Sequence, residues 1–184
     1  MPKDKRIAWP HPVQIQLSGS GGQGIILAGI ILASGAISDG HYAVQTQAYG
    51  PEARGGASRA EVIIGSELID YPRVERPDIL LVLTQEACDK YLPNVVETSL
   101  VIVDSLLVKN IPKIAATVIE IPIIETAQYK VGREVVANIV ALGALNEATN
   151  LVSWSSLEAA VLKRVPKIYQ ELNIKALKEG RNLI

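Results

Sequence analysis

With 184 residues, 48% of them hydrophobic and 20% charged, the chain has the size and balance of one globular domain rather than of a disordered or fibrous protein. A formal charge of −1 supplies no field to gather polyanions, so nucleic acid is not expected as a partner. The single cysteine, Cys88, excludes an intrachain disulfide and any all-cysteine metal or cluster site within the chain, and His11 and His41 are too few for a histidine-based one.

Ile, Val, Leu and Ala must fill the core, because the chain has no Phe and one Met. Long β-branched runs of this kind suit a parallel sheet covered on both faces. Met1 to Arg6 is charged with no apolar stretch of signal-peptide type behind it, and the apolar run Ile25–Ala33 is too short to span a bilayer. The expected setting is the cytoplasm.

Val13 to Leu17 alternates apolar and polar, which predicts a strand. The glycine-rich stretch Ser18–Gly24 follows at once, then Ile25 to Ile37 reads as a buried helix. Asp39-Gly40 marks a turn and Tyr42 to Gln47 a second strand, completing a βαβ unit. A long loop from Ala48 to Ser58 leads into extended structure at Arg59–Ile64, and Pro72 and Pro77 bracket a further loop. Ile79–Leu83 is a continuous apolar strand, after which Thr84 is placed to cap a helix running to Tyr91, with Glu86 in its first turn. Leu100–Val103 and Ala116–Ile121 are two more strands.

The last third reads as helical. Val131, Val135, Ile139 and Leu142 recur at helical spacing, and Ser155 with Glu158 forms a capping-box pattern. Pro166 makes the final segment a separate or kinked helix. Residues 163–181 are locally basic, which reads as a solvated helix face. The whole is expected to be a single domain over residues 1–184, a three-layer, Rossmann-like α/β fold with a mostly parallel sheet.

Gly19, Gly21 and Gly24 fit the dinucleotide spacing of glycines at first, third and sixth positions. Glycine there lets a phosphate approach the N–H groups at a helix start, where the macrodipole favours negative charge. A dinucleotide would also need an acid near the end of the second strand, but that strand ends in Thr46 and Gln47. Three readings stay open: a nicotinamide or flavin dinucleotide, another phosphate-bearing ligand or one shared with a second chain, and glycines that only pack the helix on its strand. The Walker pattern is absent. In the second loop, Arg54 could bind a carboxylate or phosphate in bidentate fashion, or pair with Glu52 or Glu61. Gln23 and Ser58 add neutral donors, and neither loop holds a nucleophile–base pair, so no catalytic residue and no metal ligand is assigned.

The pair GSGGQG at 19–24 and YGPEARGGAS at 49–58 closely resembles the gamma subunit, or gamma domain, of the 2-oxoacid:ferredoxin oxidoreductases. The likeness continues through 59–64 and 78–92 and more loosely to about residue 145, whereas the helices from Ser155 onward carry none of it. The positions carried over are Gly19, Gly21, Gly22, Gln23, Gly24, Arg54, Gly55, Gly56 and Ser58. The resemblance implies an enzyme that oxidatively decarboxylates a 2-oxoacid, passes the acyl group to coenzyme A and delivers electrons to ferredoxin. It implies thiamine diphosphate and iron–sulfur clusters in partner alpha and beta subunits, with a ferredoxin-like delta subunit left open. The gamma chain would pack on the thiamine core at the coenzyme A side and be inactive alone. Length and second-loop wording look most like stand-alone gamma subunits of 2-oxoglutarate enzymes, with pyruvate, branched-chain and indolepyruvate forms still open. A stand-alone nucleotide-binding module and a scaffold with a disused glycine loop are the competing readings.

Overall fold

The computed structural model describes residues 12–48 and 57–184. One six-stranded sheet organises them: β1 (Val13–Ser20), β2 (Tyr42–Ala48), β3 (Ala57–Gly65), β4 (Ile79–Val82), β5 (Leu100–Asp104) and β6 (Thr117–Ile121), in the order β2-β3-β1-β4-β5-β6. β1, β4, β5 and β6 are parallel neighbours, while β3 runs against both β1 and β2. The sheet is thus mostly parallel, as the β-branched composition suggests. The βαβ unit is opened, however, because β3 stands between β1 and β2. Only eight residues separate β2 from β3, too few for the crossover that parallel pairing needs, so the two strands pair antiparallel.

Alternate side chains of each strand enter two separate cores. Ile15, Leu17, Val62, Ile79, Leu81 and Ile102 face the larger one, covered by α1 (Ile25–Ser38) and the C-terminal helices. Leu80, Val82, Val101 and Val103 face the smaller one, under α2 (Gln85–Tyr91). The result is three layers of unequal weight. Thr84 caps α2 by accepting from the Ala87 N–H and Glu86 lies in its first turn, as its sequence predicts; Lys90 in the last turn also suits the dipole. Cys88 lies in this core; burial, then the charge of Asp89, pushes its thiol up, so it is an inert apolar filler. Among the described residues no helix is long and apolar enough to cross a membrane.

The apolar stripe read across Val131–Leu142 is not one helix. A short turn, α3 (Ile123–Glu125), passes into a π-helical turn over Thr126–Val131 that ends at Gly132, with φ 98°. A 3-10 turn, Glu134–Val136, then leads into α4 (Ala137–Thr149). Val131, Ile139 and Leu142 are buried, but the break at Gly132 turns Val135 out to 74% exposure. Periodicity cannot register a left-handed glycine.

α5 (Trp154–Arg164) starts two residues before the capping-box reading: its cap is Ser153, whose Oγ accepts from the Ser156 N–H. Asp39, at the end of α1, is the reason. Its carboxylate accepts from the Ser153 N–H at 2.6 Å, the Ser153 hydroxyl at 2.7 Å and the Ser156 hydroxyl at 2.5 Å, tying two helix ends together. Partial burial pushes this carboxyl up, but the bonds from Ser156 and Ser153, with the charge of His41, together hold it below the usual aspartate value. A depressed folded pKa gives stability that is complete above the unfolded pKa of about 3.8 and is lost as pH falls through the folded value. Asp39→Ala is therefore expected to cost about 1 kcal/mol in urea unfolding at pH 7, with the gap from wild type closing in acid. A gap that stays constant to pH 2 would refute this account of the clip.

α5 ends at Arg164, and beyond Pro166 a 3-10 turn at Lys167–Tyr169 leads into a separate α6 (Gln170–Arg181), as the proline predicts. α6 packs on α4 through two glycines. A Cβ on Gly143 would strike the Leu177 carbonyl, and one on Gly180 the Val140 carbonyl.

Candidate functional site

β1 does not stop where its alternation stops. β3 holds Gly19 and Ser20 in the ladder opposite Ser58 and Ala57, so only residues 21–24 form a turn. That turn is tied from within. The Gln23 side-chain oxygen accepts from the Ser20 N–H at 2.8 Å, the Gln23 N–H returns to the Ser20 carbonyl at 3.3 Å, and the Ser58 hydroxyl lies 3.4 Å from the carbonyl oxygens of Gly19 and Ser20. Gln23 and Ser58 therefore brace the turn.

The glycines divide into two kinds. Gly24, with φ 72°, caps α1, and a Cβ there would run into Asn138, whose amide donates to the Gly24 carbonyl at 3.0 Å. Gly21 and Gly22 are exposed, with nothing of the chain within 4 Å of where a side chain would begin. Gly22 needs glycine for its φ of 90°, but Gly21 has no such requirement. The chain's own fold gives no reason for glycine at 21.

α1 begins without a side-chain cap, and the Ala28 N–H is the first to bond back, to Gly24. The amides before it sit at the positive end of the helix dipole. Beside them opens a cleft of about 400 Å³. Gly22, Gly24 and Leu27 line one wall, Arg133, Val135, Val136 and Asn138 the second, and Val165, Pro166, Tyr169, Leu172 and Asn173 the third. Among the described residues, Arg133 alone of those lining the cleft carries a charge. No motif marks Arg133, Asn138 or Tyr169; they meet the glycine turn only because α4 packs on α1 and α6 packs on α4.

Arg54, Gly55 and Gly56 lie outside the described residues. The strand ends on either side of them do not: Ala48 pairs with Arg59, and Ala57 with Ser20, so both flank the end of the sheet that carries the glycine turn. Glu61, considered above as a partner for Arg54, is ion-paired with Arg59 at 3.2 Å and also accepts from Thr46 and from the Val74 N–H. The Arg59 guanidinium stands 5.8 Å over the Tyr91 ring.

Among the described residues the cleft offers amides, an arginine and apolar walls, and no nucleophile beside a base. Such an arrangement suits binding and orienting a ligand.

The pattern of the pyruvate ferredoxin/flavodoxin oxidoreductase family matches residues 14–183. The chain is 50% identical over 170 residues to the 2-oxoglutarate synthase subunit KorC of Methanocaldococcus jannaschii, covering 91% of each chain. Its fold superposes with a TM-score of 0.84 on the gamma subunit of a keto/oxoacid ferredoxin oxidoreductase from Geobacter sulfurreducens, at 51% identity over 92% of this chain and 96% of that one. The 2-oxoglutarate:ferredoxin oxidoreductase from Magnetococcus marinus, solved with 2-oxoglutarate, coenzyme A and succinyl-CoA, shares the fold at a TM-score of 0.84. It is 21% identical, and the match covers 95% of this chain and 31% of that one. A glycine turn braced by Gln23 and Ser58, on a mostly parallel sheet matched along nearly its whole length, places this chain in the pyruvate ferredoxin/flavodoxin oxidoreductase family, as a gamma-type member.

Proposed function

We propose that the chain is the gamma subunit of a 2-oxoglutarate:ferredoxin oxidoreductase of the cytoplasm, assembled with alpha and beta chains. The observation that supports this reading is the 50% identity to the 2-oxoglutarate synthase subunit KorC over 91% of both chains. The reaction would cleave the bond between the carboxylate and the carbonyl carbon of 2-oxoglutarate, release carbon dioxide, pass the electron pair to ferredoxin and leave succinyl-CoA.

One cysteine cannot ligate an iron–sulfur cluster, and no residue set for thiamine diphosphate stands in this sequence, so both groups are assigned to the partner chains. Coenzyme A, when bound, supplies the thiol that accepts the acyl group. The present chain contributes binding: the uncapped amides at the start of α1 and the open outer faces of Gly21 and Gly22 suit an anionic group. Gly19, Gly24, Gln23 and Ser58 hold that surface in shape. Arg54, Gly55 and Gly56 are proposed to complete it.

Gly21→Val separates folding from function. The isolated variant is expected to melt like wild type, since open space surrounds residue 21. In the co-expressed complex the bulk at position 21 is expected to lower kcat/KM for coenzyme A at least about tenfold, the loss of one charge-assisted hydrogen bond, with KM for 2-oxoglutarate unchanged. Unaltered coenzyme A kinetics would remove the glycine turn from the site. Full viologen reduction by a complex lacking this chain would remove the proposal as a whole.

A further inference from the structure

The basic run near the C-terminus is exposed, as its sequence predicts, and its first part borders the cleft. Three segments remote in sequence meet at the cleft beside α1, and the outermost of them is rimmed by charge. Arg133 lies in its lining, and Arg164 and Lys167 flank the lining residues Val165 and Pro166 and are exposed. Among the described residues adjoining them in sequence, Glu134 and Glu171 carry the opposite charge, in a chain whose total charge is −1.

The same rim presents apolar side chains to solvent: Val135 is 74% exposed, Ile168 81% and Tyr169 49%. Ile168 lies outside the cleft lining, so the apolar and basic surface extends beyond what a small ligand in the cleft would cover. Apolar anchors around a concave site, with an arginine among them, have the make-up of a protein interface. Charge complementarity fixes the chemistry of the occupant as acidic.

We propose that this cleft receives a segment of a partner subunit that inserts an apolar side chain against Leu27, Val136 and Leu172 and sets a carboxylate against Arg133. The proposal rests on the reading of the chain as one subunit of a complex, and adds the face that docks and the character of what docks there. Gly21 lies outside the cleft lining, so its outer face stays free for the small-molecule ligand.

The test is assembly with co-expressed alpha and beta chains, followed by gel filtration and by titration of the purified alpha–beta unit with this chain. Val135→Asp and Arg133→Glu alter side chains on the surface, so the isolated variants are expected to melt like wild type. Each is expected to weaken association about tenfold or more, and raised salt to weaken wild-type association more than that of Arg133→Glu. Leu68→Asp, 77% exposed at the opposite end of the sheet, is the control and is expected to assemble normally. Both variants assembling like wild type would overturn the proposal. So would assembly at wild-type affinity with only coenzyme A binding weakened, or a self-dimer that Val135→Asp abolishes while the complex persists. Wild-type chain that fails to join the alpha–beta unit at all would instead overturn the subunit reading.

Discussion

Gly180→Ala is expected to destabilise the chain by about 3 kcal/mol or more, at the upper end of what overpacking costs. The added methyl meets backbone, not a movable side chain: the Val140 carbonyl of α4 occupies its place. Gly143→Ala fails for the mirror reason, against the Leu177 carbonyl of α6. Residues 140 and 143 of one helix thus meet 177 and 180 of the other, one turn apart on each. Relief comes only by moving α6 away from α4, which opens the core around Leu142, Ala176 and Leu177. The double variant is expected to cost less than the sum of the two, because one displacement relieves both clashes. Since Leu172 and Asn173 of α6 line the cleft, the same shift deforms the proposed docking face. Denaturant unfolding of the isolated chain reads the effect directly. A midpoint within error of wild type for either glycine would mean that α4 and α6 do not touch as described.

The second large effect is expected at Asp104, the last residue of β5 and fully buried. One carboxylate oxygen accepts from the backbone N–H groups of Leu106 and Leu107 at 3.0 and 2.8 Å, and the other from the Ile124 N–H at 2.8 Å. The loop after β5 and the turn after β6 are therefore tied to one side chain. Asp104→Ala leaves the Ile124 N–H without a partner in a dry place and frees the other two to water, for a loss of about 2–4 kcal/mol. Asp104→Asn keeps the shape but turns an amide donor toward one of the N–H groups it should accept from, and an intermediate loss is expected. Hydrogen exchange at Leu106, Leu107 and Ile124 should accelerate in both variants before the rest of the sheet is affected. Uniform acceleration across the sheet would show that the residue acts through global stability rather than as a local tie.

The chain order of strands and helices was legible because each rests on local chemistry: the alternation of Val13–Leu17, the cap at Thr84, the apolar runs at 79–82 and 100–103 and the break at Pro166. Where a distant partner intervenes, local patterns misplace the element. Ser153 outcompetes Ser155 as a cap because Asp39 lies against it. Val135 leaves the apolar face because Gly132 turns left-handed. β1 outlasts its own alternation because β3 pairs with Gly19 and Ser20. The glycine turn could be found from spacing, and its family likeness from the pairing of two loops. The cleft could not be found, since Leu27, Arg133 and Tyr169 come together only because α4 packs on α1 and α6 on α4.

The reversal of β3 has a consequence for how tightly the glycine turn is specified. Side chains of this strand serve two masters in alternation: Ser58, Ala60 and Val62 look toward α1 and the turn, while Arg59 and Glu61 look toward Tyr91 and Thr46. A slip of a single position would drive an ion pair into hydrocarbon and at the same moment withdraw the hydroxyl that steadies residues 19 and 20. The electrostatic penalty on one side of the sheet thus acts as a phase lock for the backbone on the other.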